Sequence, residues 1–178
     1  MNRLHTIEVS EATGETAQLF GTIKKAIGTV PNAYRTLGSN APAVLGHVLQ
    51  TGAVLKQGEL SAREQEAINL SVSEASACDY CLAAHSLTGK MAGLSAEQIQ
   101  EARKGSFSSD AKIDALVKFA VRLVKTSGTL PADAVESVKQ AGYNDRQIVE
   151  AILAVSAILF TNMLNRVNDT VLDFPKAA

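Results

Sequence analysis

Two cysteines and a histidine pose the chemical question. Cys78 and Cys81 are the only cysteines in 178 residues, three apart in Cys78-Asp79-Tyr80-Cys81, and His85 follows four residues later. On a helix these are positions i, i+3 and i+7, so two thiols and an imidazole share one face. Such a stripe suits thiol redox chemistry or metal binding. At the first turn of a helix, Cys78 meets unpaired backbone N–H groups and the positive end of the dipole, which favour a thiolate. Cys81 lies one turn on, within reach for an intrahelical disulfide when that turn relaxes. His85 can take a thiol proton directly or through a water. Glu66 stands twelve residues before Cys78. If its helix and the next form an antiparallel hairpin, Glu66 faces His85 and can orient it as a base.

The same residue types have plainer uses. A buried cysteine is often a small hydrophobe, and a histidine often a satisfied core or surface group. Two thiolates, one imidazole and Glu66 also make four possible zinc ligands. Ligands from one helical turn rarely close a tetrahedron, however, and His5 and His47 supply no second ligand pair. A thioredoxin-type CxxC follows a strand in a βαβ unit, and no stretch here alternates with period two for long enough to form one.

The elements that must position these residues read as helices throughout. A helical stripe runs from about Thr13 to Gly28 through Ala17, Phe20, Ile23 and Ile27. Val30-Pro31-Asn32 starts a short helix, Asn32 to Leu37, which Gly38-Ser39-Asn40 is expected to break. Pro42 opens a helix to about Gln57, with Val44, Leu45, Val48, Leu49 and Leu55 inward. Ser61 with Glu64 forms a capping box for the helix that carries Glu66. A break near Ser76 leads into the helix from Cys78 to Met91. Ser95 with Gln98 caps Ala96 to Arg103, Asp110 to Lys125 is amphipathic, and Ala132 to Gln140 follows Pro131. The last helix starts at Asn144 and is free of Gly and Pro through Phe174.

Length and composition indicate one globular domain, 1–178, with a core of Ala, Val, Leu and Ile. Hydrophobic residues make up 46% of the chain, aromatics 4%, and tryptophan is absent. The net charge of −1 is interspersed, which argues against a nucleic-acid surface. Met1 to His5 lacks the apolar core of a signal peptide. The apolar run Ile148 to Phe160 is shorter than the roughly 20 residues of a bilayer span and reads as a buried helix. A cytoplasmic protein with no membrane partner is expected, and a reducing compartment disfavours a purely structural disulfide relative to a reactive pair or a metal site.

The spacing Glu66, Cys78-x-x-Cys81, His85 resembles the AhpD-like alkylhydroperoxidase branch of the carboxymuconolactone decarboxylase superfamily. Its flanks match too: Arg63-Glu64, the run from Cys78 to Ser95, Glu97-Gln98-Ile99, the early Val30-Pro31-Asn32-Ala33-Tyr34 and the late Asn165-Arg166-x-Asn168-Asp169. These resemble the peroxidase-related subgroup, with the core match at about residues 44–125. The resemblance implies an all-α AhpD-like helical bundle with the CxxC at a helix N-terminus, assembled as homotrimers or homohexamers. It implies a thiol peroxidase using no haem, flavin or metal, its only redox group being the Cys78–Cys81 disulfide. Cys81 would attack a hydroperoxide and become a sulfenic acid, Cys78 would resolve it, and His85 and Glu66 would relay protons. A lipoylated or thioredoxin-like dithiol partner would reduce the disulfide. Tyr80 departs from relatives with a second histidine before the later cysteine, and is a candidate pocket residue. Other candidates are a polar stripe of Asn162, Asn165 and Asn168, lining a pocket or an interface, and Tyr34 and Phe20 as pocket walls or core. Two other functions remain open: a disulfide reductase or redox sensor using the same pair, and a non-catalytic helical oligomer whose motif is a relic or a metal clip.

Overall fold

The computed structural model describes residues 2–177. Among them are nine α-helices, one 3-10 turn at Val9–Glu11 and no strand. The helices are α1 (Gly14–Ile27), α2 (Asn32–Asn40), α3 (Pro42–Lys56), α4 (Ala62–Ala75), α5 (Asp79–Met91), α6 (Ala96–Arg103), α7 (Ala111–Thr126), α8 (Ala132–Gln140) and α9 (Asp145–Asn168). The all-helical expectation holds.

The bundle is built round α4, which packs against α5, α6, α7 and α9. Ala67, Ile68, Leu70, Ser71, Val72 and Ser73 are all buried, so α4 has almost no solvent face in its second half. The small residues let four helices approach, while each buried Ile, Leu or Val contributes about 1.5–3 kcal/mol. Ser61 accepts from the Glu64 N–H and the Glu64 carboxylate accepts from the Ser61 N–H, closing the expected capping box. Equivalent boxes open α6 at Ser95 and α9 at Asn144. A separate apolar cluster of Phe20, Ile23, Val30, Leu37 and Leu45 joins α1, α2 and α3.

Four expectations change. Gly38-Ser39-Asn40 does not break the chain: α2 runs on to Asn40. Gly38 is there because the Phe20 ring occupies the place a Cβ would take. The last helix stops at Asn168, not Phe174. Asp169 turns left-handed at φ 53°, and the Asn165 carbonyl accepts both the Asp169 and Thr170 N–H groups. In α3 only Leu45 is buried, and Val44 and Val54 face solvent. Finally, α9 is buried on one face only: Val149, Ile152, Phe160, Met163 and Val167 are exposed. It is long and apolar enough to cross a bilayer by length and composition, but its inner face carries asparagines packed into the bundle.

Candidate active site

The turn between α4 and α5 sets the first sulfur. Ala77 is left-handed at φ 51°. Its N–H donates to the Glu74 carbonyl, and the Cys78 N–H donates to the Ser73 carbonyl, both at 3.0 Å. This is a Schellman closure with alanine where glycine is usual. The residue that ends α4 therefore also starts α5: Cys78 is the N-cap of α5, and its Sγ accepts the Cys81 N–H at 3.3 Å. Arg166 of α9 donates to the Ser76 carbonyl at 2.8 Å and pins the turn.

Both cysteines are free thiols, 1% and 3% exposed. A hydrogen bond from the Cys81 thiol, with the Cys81 N–H and the nearby His85, holds the Cys78 thiol below the usual thiol range against the cost of burial. The same contact raises Cys81, because its proton is shared with Cys78, and burial raises it further. Opposing this, the Asn165 Nδ2 donates to Cys81 Sγ at 3.4 Å, and the Thr161 hydroxyl lies on the same sulfur. The two directions oppose, so Cys78 rather than Cys81 is the sulfur that gives up its proton more readily.

The hairpin brings Glu66 to His85 as expected. The Glu66 Oε2 lies 2.9 Å from His85 Nδ1 and also accepts from the Thr88 hydroxyl at 2.9 Å. With Nδ1 held by the carboxylate, His85 keeps Nε2 for proton exchange. Glu66 and Thr88 line a cleft of about 580 Å³ with Leu60, Ser61, Gln65 and Met91. Both members of the pair are partly exposed, whereas the two sulfurs are buried. Among the described residues, no group of three or more His, Cys, Asp and Glu side chains is arranged to hold a metal ion.

Tyr80 is buried, and its hydroxyl is spent elsewhere. It accepts from the Ala33 N–H at 3.2 Å and bonds with the Asp173 carboxylate. Burial and Asp173 push the phenol well above its usual range, so Tyr80 is no base near neutral pH. Its ring meets Phe174 edge-on, centroids 5.5 Å apart. Phe20 is core and Tyr34 packs beside it, so neither walls the site. The asparagine stripe is wholly buried, so its side chains belong to the bundle interior. Sequence reasoning missed Thr88, Asp173 and Phe174. Thr88 lies one turn past His85, a spacing that signals a shared face, whereas the contacts of Asp173 and Phe174 bridge distant parts of the chain and leave no local trace.

The fold and site define an all-helical protein with a buried dithiol at a helix N-terminus, flanked by a carboxylate–histidine pair. The sequence model of the Carboxymuconolactone decarboxylase family matches residues 42–125, from the start of α3 to the last turn of α7. That segment resembles the family, and the chain has the AhpD-like fold throughout. A solved alkylhydroperoxidase AhpD core, peroxidase-related, from Ralstonia eutropha JMP134 superposes with TM-score 0.86 at 19% identity, covering 97% of this chain and 92% of that one. A peroxidase-related protein from Silicibacter sp. TM1040 superposes with TM-score 0.77 at 22% identity, covering 96% and 94%. A debrominase, solved as a cysteine-to-alanine variant with 2,3,4-tribromopyrrole, superposes with TM-score 0.81 at 16% identity, covering 97% and 92%. No curated protein matches the chain in sequence.

Proposed function

We propose that the protein is a dithiol peroxidase that reduces hydroperoxides by cycling Cys78 and Cys81 between dithiol and disulfide. The observation that carries this reading is the buried pair of free thiols on one helical turn, with the Cys81 N–H on Cys78 Sγ at 3.3 Å, set beside the Glu66–His85 contact of 2.9 Å. The Cys81 proton passes to Cys78 along their hydrogen bond, and His85, oriented by Glu66, exchanges protons with the solvent-facing cleft. The Cys81 thiolate attacks the terminal oxygen of ROOH. The S–O bond forms as the O–O bond breaks, giving Cys81 sulfenic acid and, after protonation, ROH. The Cys78 thiol then condenses with the sulfenic acid, releasing water and leaving the disulfide. An external dithiol returns two electrons and two protons. Attack by Cys81 follows the order that the family resemblance implies; Cys78, the sulfur that gives up its proton more readily, is its proton acceptor. No cofactor takes part, and the reductant is a dithiol of the lipoyl or thioredoxin type.

Stopped-flow consumption of hydrogen peroxide, an alkyl hydroperoxide and a lipid hydroperoxide, with lipoyl and thioredoxin donors, tests the reading. Turnover by wild type and its loss in Cys81→Ser support it. Equal, slow consumption by both proteins rejects it in favour of a disulfide reductase or redox sensor.

A second reading draws on the debrominase of the same fold. The dithiol can deliver its two electrons to a carbon–bromine bond instead: ArBr and two thiols give ArH, bromide, a proton and the Cys78–Cys81 disulfide. Bromide release from a brominated pyrrole, with peroxide turnover absent, would favour this reading over the first.

A further inference from the structure

Three asparagines face inward from successive turns of α9, and they are not equivalent. Asn162 is 1% exposed, Asn165 4% and Asn168 0%. Asn162 uses both ends of its carboxamide: Oδ1 accepts from the Ser73 hydroxyl at 3.2 Å and Nδ2 donates to the Val72 carbonyl at 3.5 Å. Asn168 does likewise. Its Oδ1 accepts the Leu4 N–H at 2.8 Å, and its Nδ2 donates to the hydroxyls of Thr36 and Thr170 at 3.2 and 3.0 Å. These two tie α9 to α4, to α2 and to the N-terminal segment.

Asn165 ties nothing. Its side-chain donor is on the Cys81 sulfur at 3.4 Å. Its Oδ1 is buried with no hydrogen-bond partner among the described residues. Buried polar atoms are nearly always paired, and a carboxamide kept only for packing would leave neither end in this state. The free acceptor lies on the same carboxamide that touches the sulfur, so it is close enough to Cys81 to meet the hydrogen of a substrate bound there.

We propose that Asn165 is a catalytic residue: Nδ2 holds the charge that develops on Cys81 Sγ, and Oδ1 accepts the hydrogen of the hydroperoxide's terminal oxygen. This rests on the peroxidase reading and adds to it the group that aligns the O–O bond. Cys81 sulfur bonds to the terminal oxygen and is oxidised by two electrons as the O–O bond breaks. The departing alkoxide takes a proton relayed by His85 and leaves as ROH, so Cys78 keeps its thiol proton for the condensation. The hydrogen on the transferred oxygen stays in place and becomes the sulfenic acid hydrogen, still facing Oδ1. The raised Cys81 thiol gives Nδ2 its purpose, since a donor is needed where loss of the proton is costly.

The test compares Cys78→Ser protein with the same protein carrying Asn165→Ala or the isosteric Asn165→Asp, each taken from the folded monodisperse fraction. Two reagents are timed at fixed pH. Methyl methanethiosulfonate has no O–H or N–H, so it reports on the thiolate alone; tert-butyl hydroperoxide, with sulfenic acid trapped by dimedone, also reports on the acceptor. Both variants should react with the thiosulfonate on the order of tenfold more slowly, as expected for losing one hydrogen bond to a charged group. Asn165→Ala should lose several-fold more with the hydroperoxide. Unchanged thiosulfonate rates, or equal losses with both reagents in Asn165→Ala, would overturn the assignment. If the thiosulfonate rates fall but wild type never consumes peroxide, the charge-holding role stands, and the acceptor role falls with the peroxidase reading.

Discussion

The two sulfurs of one CxxC differ because their surroundings differ. Cys78 is the N-cap, collects the Cys81 N–H and thiol, and sits near His85; Cys81 faces inward and shares its own proton. A thiol held low keeps its thiolate as the pH falls, until the pH passes below its folded-state value. Limiting iodoacetamide should therefore modify Cys78 before Cys81, with a rate that persists at pH values where free cysteine has stopped reacting. Peptide mapping showing Cys81 modified first would contradict the charge assignment. His85 is the one imidazole in the site, and Glu66 holds its Nδ1. His85→Gln should lower peroxide turnover by about 10²-fold, the ordinary size of a lost general acid–base group, while leaving total thiol content by titration unchanged. A loss of less than twofold would remove His85 from the relay.

At the level of elements, the α4–α5 turn joins fold to chemistry. An alanine in the left-handed region costs roughly 1–2 kcal/mol, and Ala77 occupies it one residue before Cys78. Ala77 is exposed and its side chain holds nothing in place. Ala77→Gly should accordingly raise stability by about 1 kcal/mol in denaturant unfolding. A loss of stability would mean that the alanine makes a contact worth more than the strain. The other decisive element is α9. Its inner face carries Asn162, Asn165 and Asn168, and its last carbonyls close on Asp169 and Thr170. The helix therefore ends where the site needs it to, and the chain that follows is free to fold back.

At the level of the molecule, that returning chain packs against the apolar cluster that holds both cysteines. The Asn32 N–H donates to Asp173 at 2.7 Å, Asn32 Nδ2 donates to the Val171 carbonyl at 3.0 Å, and Phe174 lies on Tyr80. Asp173 thereby also places a carboxylate at the N-terminus of α2, where the dipole favours it. Removing the aromatic seal with Phe174→Ala should speed labelling of the two thiols by a bulky disulfide reagent several-fold, with the helical circular dichroism intact. Unchanged labelling would show that access runs by another route. The outer face of α9 makes a second whole-molecule prediction. Val149, Ile152, Phe160, Met163 and Val167 are exposed along one helix, and a contiguous apolar stripe of this kind marks an interface. A homo-oligomer, trimer or hexamer, covering that stripe is expected by light scattering. The pair Met163→Lys and Val167→Lys should shift it toward monomer; an unshifted mass would place the interface elsewhere.

Much of this was legible in the chain because the signals are local. Helix periodicity, the capping boxes at Ser61 and Ser95, and the i, i+3, i+7 spacing of Cys78, Cys81 and His85 act within a few residues, so sequence alone determined an all-helical fold with a dithiol at a helix start. The hairpin from α4 to α5 is nearly as local, and Glu66 met His85 where the spacing placed it. Where prediction failed, the partner was far away. Gly38 was read as a breaker, but its lack of a Cβ makes room for Phe20. The apolar run of α9 gave no sign that only one of its faces is covered. The end of α9 is set by what Asn165, Asn168 and Asp169 meet in space. Only the tertiary structure could decide that the three asparagines are buried and unequal, and that Asn165 sits on Cys81, because hydrogen bonds across 84 residues of chain leave no period to read.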